Sequence, residues 1–80
     1  MYMLINDREK SVVMTESFIE FKEFVLRYLF ENKSDIILDE RLYKIYYEII
    51  SDIFDAEDSE AMRCCLNAVN VYFDKRMWVK

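Results

Sequence analysis

Glycine, proline and histidine are all absent from the chain. Without glycine, it cannot form a Gly-rich phosphate-binding loop or a dinucleotide-binding fingerprint. Without histidine, it lacks the commonest general base and the commonest metal ligand of proteins. We therefore predict a non-catalytic protein, not an enzyme, with no cofactor and no metal ion. Any residue at positive φ must also be of another type, most cheaply asparagine or aspartate.

Cysteine is scarce, and the two cysteines are neighbours, Cys64 and Cys65. Adjacent side chains on a helix point about 100° apart, so this pair cannot form a disulfide without breaking the helix. With no histidine and no further cysteine, the pair cannot complete a zinc site. We interpret both as small buried apolar residues of a protein in a reducing compartment.

Long apolar runs and basic leaders are also missing. No apolar run approaches the ~18 residues of a membrane span, and residues 1–13 lack the basic start and apolar run of a signal peptide. The chain has 11 basic and 16 acidic residues, a formal net charge of −5. This excess of acid disfavours direct binding to nucleic acid or to anionic membranes. We predict a cytoplasmic protein with neither of these partners.

Hydrophobic residues, in contrast, make up 54% of the chain, and there are six tyrosines, six phenylalanines and one tryptophan. A domain of this size buries only about 60–65% of the surface that its unfolded chain exposes. Some aromatic residues are therefore expected to line a partner surface or a homodimer interface. The alternative is that the tyrosines lie half buried with their hydroxyls in water.

The fold expected from these patterns is mainly all-α: one compact three-helix domain over residues 1–80. The central segment LDERLYKIYYEIISDIF has apolar residues at the i, i+3, i+4 and i+7 spacing of an amphipathic helix. The predicted helices span residues 15–32, 36–55 and 58–75. Ser17 and Glu20 have capping-box spacing at the start of the first helix, Asn32 is the expected left-handed stop, and Asp39 is an alternative cap for the second.

The two ends of the chain carry weaker patterns. Residues 1–14 contain two short apolar runs, YMLI and SVVM, around a polar segment. They predict either a short β-hairpin or an extended arm, although no Asn-Gly or Asp-Gly turn joins them. Residues 76–80 are expected to form a basic tail, whose Trp78 packs on the domain or on a partner.

One stretch of the chain is strongly acidic. It has no basic residue between Lys44 and Arg63, and it contains Glu48, Asp52, Asp55, Glu57, Asp58 and Glu60. Acids near the start of the third helix are favoured by the helix dipole, which is an ordinary structural explanation. Acids near the end of the second helix are mildly unfavourable, so that part of the run is the better indication of a partner.

The tyrosines of the second helix are the other candidate for recognition, because tyrosine is enriched at binding hot spots. Packing at the rim of the core is the competing interpretation. The candidate partner-binding residues are Tyr43, Tyr46, Tyr47, Glu48, Asp52, Asp55, Glu57, Asp58 and Trp78.

These observations favour a non-catalytic protein-binding module, acting as a small inhibitor or regulatory adaptor of a protein with a basic surface. In length and helix layout the chain resembles the small connector proteins that regulate bacterial biofilms. It also resembles small phage-encoded inhibitors, which implies a phage or mobile-element factor directed against a host defence or regulatory protein. The alternatives are an acidic mimic that blocks a nucleic-acid-binding site and a structural homodimer.

Overall fold

The chain folds into two layers, with helices covering one face of a small antiparallel sheet. The computed structural model describes residues 1–79, and 62% of the chain is helical. The strands are β1 (Tyr2–Asn6), β2 (Ser11–Thr15) and β3 (Met77–Val79); the helices are α1 (Phe18–Glu31), α2 (Lys33–Ile36), α3 (Tyr43–Asp55) and α4 (Ser59–Phe73), with a 3₁₀ turn at Glu40–Leu42 before α3. The prediction of a mainly all-α three-helix domain is therefore wrong, and the chain is mixed α/β.

The sheet has the strand order β2-β1-β3, and both pairings are antiparallel. β1 and β2 form the hairpin that the two N-terminal apolar runs suggested. β3 comes from the stretch predicted as a tail, of which Lys80 lies outside the described residues. It pairs Leu4 with Val79 and Asn6 with Met77. Local sequence patterns cannot reveal a pairing between opposite ends of the chain.

The helices begin and end at different residues from those predicted. The Ser17 hydroxyl accepts the backbone N–H of Glu20 at 3.1 Å and so caps α1. Asn32 has φ −105° and does not form a left-handed stop, because the chain continues directly into α2. The predicted helix over residues 36–55 is interrupted, since Asp39 is extended and its carboxylate accepts the N–H of Arg41 at 2.9 Å. Short acidic side chains favour such local bonds over continuing a helix.

The last helix is capped at both ends by aspartate. Asp58 accepts the N–H of Ala61 at 2.8 Å, and Asp74 ends α4 at φ 53°. Asp74 fits the expectation that aspartate or asparagine replaces the missing glycine. Lys10, in the hairpin turn, is at φ 56° and does not fit it.

The core lies between the helices and the inner face of the sheet. Leu4, Met77 and Val79 supply the sheet side. The largest fully buried side chains are Tyr46, Phe21, Leu29, Ile53, Met62, Leu66, Met77, Val25 and Val69. Burial of each such apolar side chain stabilises the fold by about 1.5–3 kcal/mol. Within residues 1–79, no helix combines the length and the apolar character needed to cross a membrane.

Candidate protein-binding surfaces

An open groove of about 330 Å³ lies between the C-terminal half of α3 and the N-terminal half of α4. We call it the acidic groove; its lining is Ile49, Asp52, Asp55, Ala56, Ala61, Cys64, Cys65 and Ala68. The α4 residues in this set recur at the i, i+3, i+4 and i+7 spacing of one helix face. Their side chains are too short to fill the space between the two helices, so a depression with an apolar floor remains.

Two of the six acids of the acidic run, Asp52 and Asp55, line this groove. All six are exposed, and among the described residues none of them forms a salt bridge. Asp58 has a structural role as the cap of α4. Asp52 and Asp55 have no such role: both lie in the last two turns of α3, where negative charge opposes the helix dipole. Their placement therefore slightly destabilises α3, and neither residue forms a cap or a salt bridge in the described chain that would offset this.

The two cysteines differ in their surroundings. Cys64 is exposed and Cys65 is half buried, so the interpretation of both as buried apolar residues is wrong for Cys64. Burial, the charge of Asp52 and the neighbouring Cys64 raise the pKa of the Cys65 thiol. Cys65 is consequently protonated at neutral pH and serves as an apolar part of the floor. Within residues 1–79, no cluster of three or more histidine, cysteine or acidic side chains is placed to hold a metal ion.

The three candidate tyrosines do not form one surface. Tyr46 is 1% exposed and its hydroxyl donates to the backbone carbonyl of Leu29 at 2.8 Å. Its assignment as a partner-binding residue is therefore wrong, because α3 turns this side chain into the core. Tyr43 and Tyr47 are exposed, and the Lys33 ammonium lies 5.4 and 4.8 Å from their ring centroids.

We call Tyr43, Tyr47 and Lys33 the tyrosine cluster. The Lys33 ammonium also hydrogen-bonds the Tyr47 hydroxyl, so the cluster ties α2 to α3 within the chain. Tyr47 and Asp52 are five residues apart, which places them about 140° apart around the helix axis. The tyrosine cluster and the Asp52 side of the acidic groove therefore lie on different sides of α3.

A third surface, which is not among the candidates predicted from the sequence, is the outer face of the sheet. Residues opposite one another in antiparallel strands point to the same face. The register therefore places on one outer face the side chains of Met3, Ile5, Val12, Met14 and Trp78. Trp78 is 47% exposed there. A solvated face of an antiparallel sheet is normally polar, so this one is unusual.

The sequence did contain one signal for this face. The run YMLI in β1 is continuously apolar, whereas a strand with one buried face should alternate. A continuous run in a hairpin strand indicates that both faces are apolar. Which other residues share the face depends on the register and on β3, and neither could be read locally.

Comparison of the chain with protein-family models, with curated proteins and with solved structures gives no match. Any functional interpretation therefore depends on the surfaces themselves. In the tyrosine cluster, the rings of Tyr43 and Tyr47 already contact Lys33 of the same chain. The acidic groove combines a concave apolar floor with an uncompensated charge, and the outer sheet face is apolar and nearly uncharged.

Proposed function

We propose that the protein is a non-catalytic protein-binding module that acts as a small inhibitor or regulatory adaptor. The acidic groove is the surface on which a partner docks. The observation that supports this most directly is the combination of an apolar floor with Asp52 and Asp55, two acids that no basic residue of the described chain neutralises. The partner's function is altered because the module covers the segment that it binds.

The chemistry of the groove specifies its occupant as a basic segment of a partner protein. Lysine and arginine have aliphatic stems that lie well on apolar surface and charged ends that seek carboxylates. A stem on Ala61, Cys65 and Ala68 would carry its charged end to Asp52 or Asp55. Charge complementarity of this kind speeds association and selects the partner more than it raises affinity.

Mimicry of nucleic acid is the competing use of the same acids. A mimic reproduces a pattern of phosphates and needs no apolar floor between the charges. The groove's small apolar lining, residues 61, 64, 65 and 68, therefore supports a protein segment over a phosphate-mimicking role. The two differ in salt dependence, since purely electrostatic binding is screened between low and moderate ionic strength.

Affinity capture with matched baits tests the proposal. The baits are the unmodified protein, the double variant Asp52→Asn/Asp55→Asn, and the control Glu23→Gln/Glu31→Gln, which removes the same charge from exposed positions of α1. We expect one specific protein to be retained by the first and third baits at physiological salt. The groove variant should bind it about tenfold more weakly or worse, since ~1.4 kcal/mol is lost when charge contacts are removed.

The outcomes separate the candidates. Equal capture by all three baits would show that the groove is not the docking surface. Equal weakening by both double variants, with binding that disappears at moderate salt, would favour mimicry through general negative charge.

A further inference from the structure

The two edges of the sheet differ in whether their outward backbone groups are hydrogen-bonded. At the β3 edge, the side-chain amide of Asn70 in α4 bonds both backbone polar groups of Met77. At the β2 edge, no hydrogen bond from another element reaches the backbone of Val12 or Met14 among the described residues. β2 is therefore an open edge, and β3 is partly closed by a helix.

The direction of the β2 backbone groups follows from Asn70. Because Met77 turns its N–H and C=O to α4, the alternation along a strand turns those of Trp78 to β1, opposite Ile5. The same alternation across β1 directs Leu4 to β2, where it faces Val13. The polar groups of Val12 and Met14 consequently point outward, away from the molecule.

Nothing in the sequence of β2 protects this edge. Natural sheets blunt an open edge with lysine, proline or a bulge within the strand. The strand reads SVVMT, with no charge and no proline, and its five residues pair with β1 in unbroken register. Val12 and Met14 are 57% and 61% exposed.

The segment is also complementary to itself when two copies run antiparallel. With Val13 opposite Val13 of a second copy, Val12 faces Met14 and Ser11 faces Thr15. Lys10 and Glu16 directly flank the strand, so at each end Lys10 comes close to Glu16 of the other copy. Both of these charged residues are exposed, Glu16 has no ion pair among residues 1–79, and Lys10 reaches only Asp7, at 3.7 Å.

We propose that β2 is a self-association edge, which pairs with β2 of a second copy to form a two-fold dimer. In this register the outward groups of Val12 and Met14 exchange backbone hydrogen bonds across the axis. The product is a six-stranded sheet whose two apolar outer faces join, with Val12 beside the second copy's Met14. The strand that pairs with this edge comes from a second copy of the chain, because the flanking charges of Lys10 and Glu16 are opposite in sign and meet in this register.

Charge reversal tests the register with the purified protein alone. The variants are Lys10→Glu, Glu16→Lys and the double variant, followed by sedimentation over micromolar to millimolar concentrations. Short edge pairings bury little area, so the dissociation constant is expected in that range. Each single variant places like charges at both ends and should weaken the dimer about fivefold, whereas the double variant should restore it.

Proline at an outward position tests the strand pairing itself. Met14→Pro removes an N–H that β1 does not use, so the hairpin should persist while the dimer is lost. Met14→Leu is the matched control and should dimerise normally. Asp52→Asn/Asp55→Asn should also dimerise normally, which separates this result from any failure of the acidic groove.

A monomer at every concentration would overturn the inference. A dimer that neither charge reversal nor Met14→Pro weakens would overturn it as well, because the contact would then lie elsewhere. Heterologous pairing is recognised by a monomeric protein that binds an added peptide of alternating threonine and valine, with binding lost in Met14→Pro. This outcome also contradicts self-association.

Discussion

The side-chain amide of Asn70 is paired with the backbone of Met77 in both directions. The N–H of Met77 donates to Asn70 Oδ1 at 2.9 Å, and Asn70 Nδ2 donates to the Met77 carbonyl at 3.0 Å. One residue of α4 thus replaces a neighbouring strand. This pairing attaches the C-terminal strand to the helical layer and leaves β2 as the open edge.

Loss of this amide should loosen β3. In Asn70→Ala two backbone groups lose their partner, and we expect the free energy of unfolding to fall by about 1–3 kcal/mol. Trp78 is the only tryptophan of the chain, so its fluorescence during denaturant unfolding reports on β3 directly. Asn67→Ala is the matched control, an exposed asparagine of the same helix, and should change stability by less than about 0.5 kcal/mol. Equal effects in the two variants would contradict this role for Asn70.

Tyr28 joins the hairpin turn to α1. Its hydroxyl accepts from the buried Asn6 amide at 3.0 Å and donates to the Glu9 carboxylate at 2.7 Å. Tyr28→Phe leaves the Asn6 amide without its acceptor, so we expect a loss of about 1–2 kcal/mol in thermal or denaturant unfolding. An unchanged midpoint would show that the network is not needed.

The same hydroxyl gives stability a dependence on alkaline pH. Burial, followed by the hydrogen bond to Glu9, raises the pKa of Tyr28 from 10.0 to about 12. Because the folded pKa lies above the unfolded one, the contribution is complete below about pH 10 and is lost as the pH rises through about 12. Between about pH 9 and 11 the unmodified protein should lose more stability than Tyr28→Phe, measured by urea unfolding at each pH. Parallel losses in both would contradict the assignment.

Tyr46 and Tyr47 are neighbours in the sequence with opposite roles. Tyr46→Phe removes a buried hydrogen bond to Leu29 and should cost about 1 kcal/mol, and Tyr46→Ala should cost about 3–5 kcal/mol. Tyr47→Phe affects only an exposed contact with Lys33 and should stay within about 0.5 kcal/mol. Thermal unfolding of the variants measures these losses of stability. A larger loss in Tyr47→Phe than in Tyr46→Phe would contradict the interpretation.

The adjacent cysteines should react at different rates. Only the thiolate is nucleophilic, and burial and Asp52 raise the pKa of Cys65, whereas Cys64 is exposed. With iodoacetamide, mass spectrometry should find Cys64 modified well before Cys65. Asp52→Asn removes one cause of the raised pKa and should speed the modification of Cys65. Equal rates in the unmodified protein would contradict the geometry of the groove floor.

Local signals predicted the helices best. Ser17 caps α1, as its capping-box spacing with Glu20 predicts, because capping depends on residues within one turn. The break in the helix at Asp39 is harder to predict. The apolar spacing of a helix continues through this residue, and the capping tendency of Asp39 is the only local signal for a break. β3 was missed because three residues have no period of their own and are fixed by pairing with β1.

The candidate site, like the fold, could be predicted only where it depends on residues close together in the sequence. The acids of the acidic run are visible in the sequence, but the apolar floor between α3 and α4 is produced by packing. Helical spacing separates Tyr46 from Tyr43 and Tyr47, but it cannot decide which side of α3 faces the core, so all three are candidates from the sequence. The sequence predicts that Trp78 packs on the domain or on a partner, but its neighbours on the outer face depend on the sheet register.

The groove is tested most directly by titrating the isotope-labelled protein with a helical peptide of alanine and lysine and following its amide NMR signals. We predict that the shifts concentrate on Ile49, Ala56, Ala61 and Ala68, and that Asp52→Asn/Asp55→Asn abolishes them while Glu23→Gln/Glu31→Gln does not. A peptide of alanine and glutamate is the control and should cause no shifts. Shifts spread over all acidic positions, or shifts unchanged in the groove variant, would contradict the proposal that this groove binds a basic partner segment.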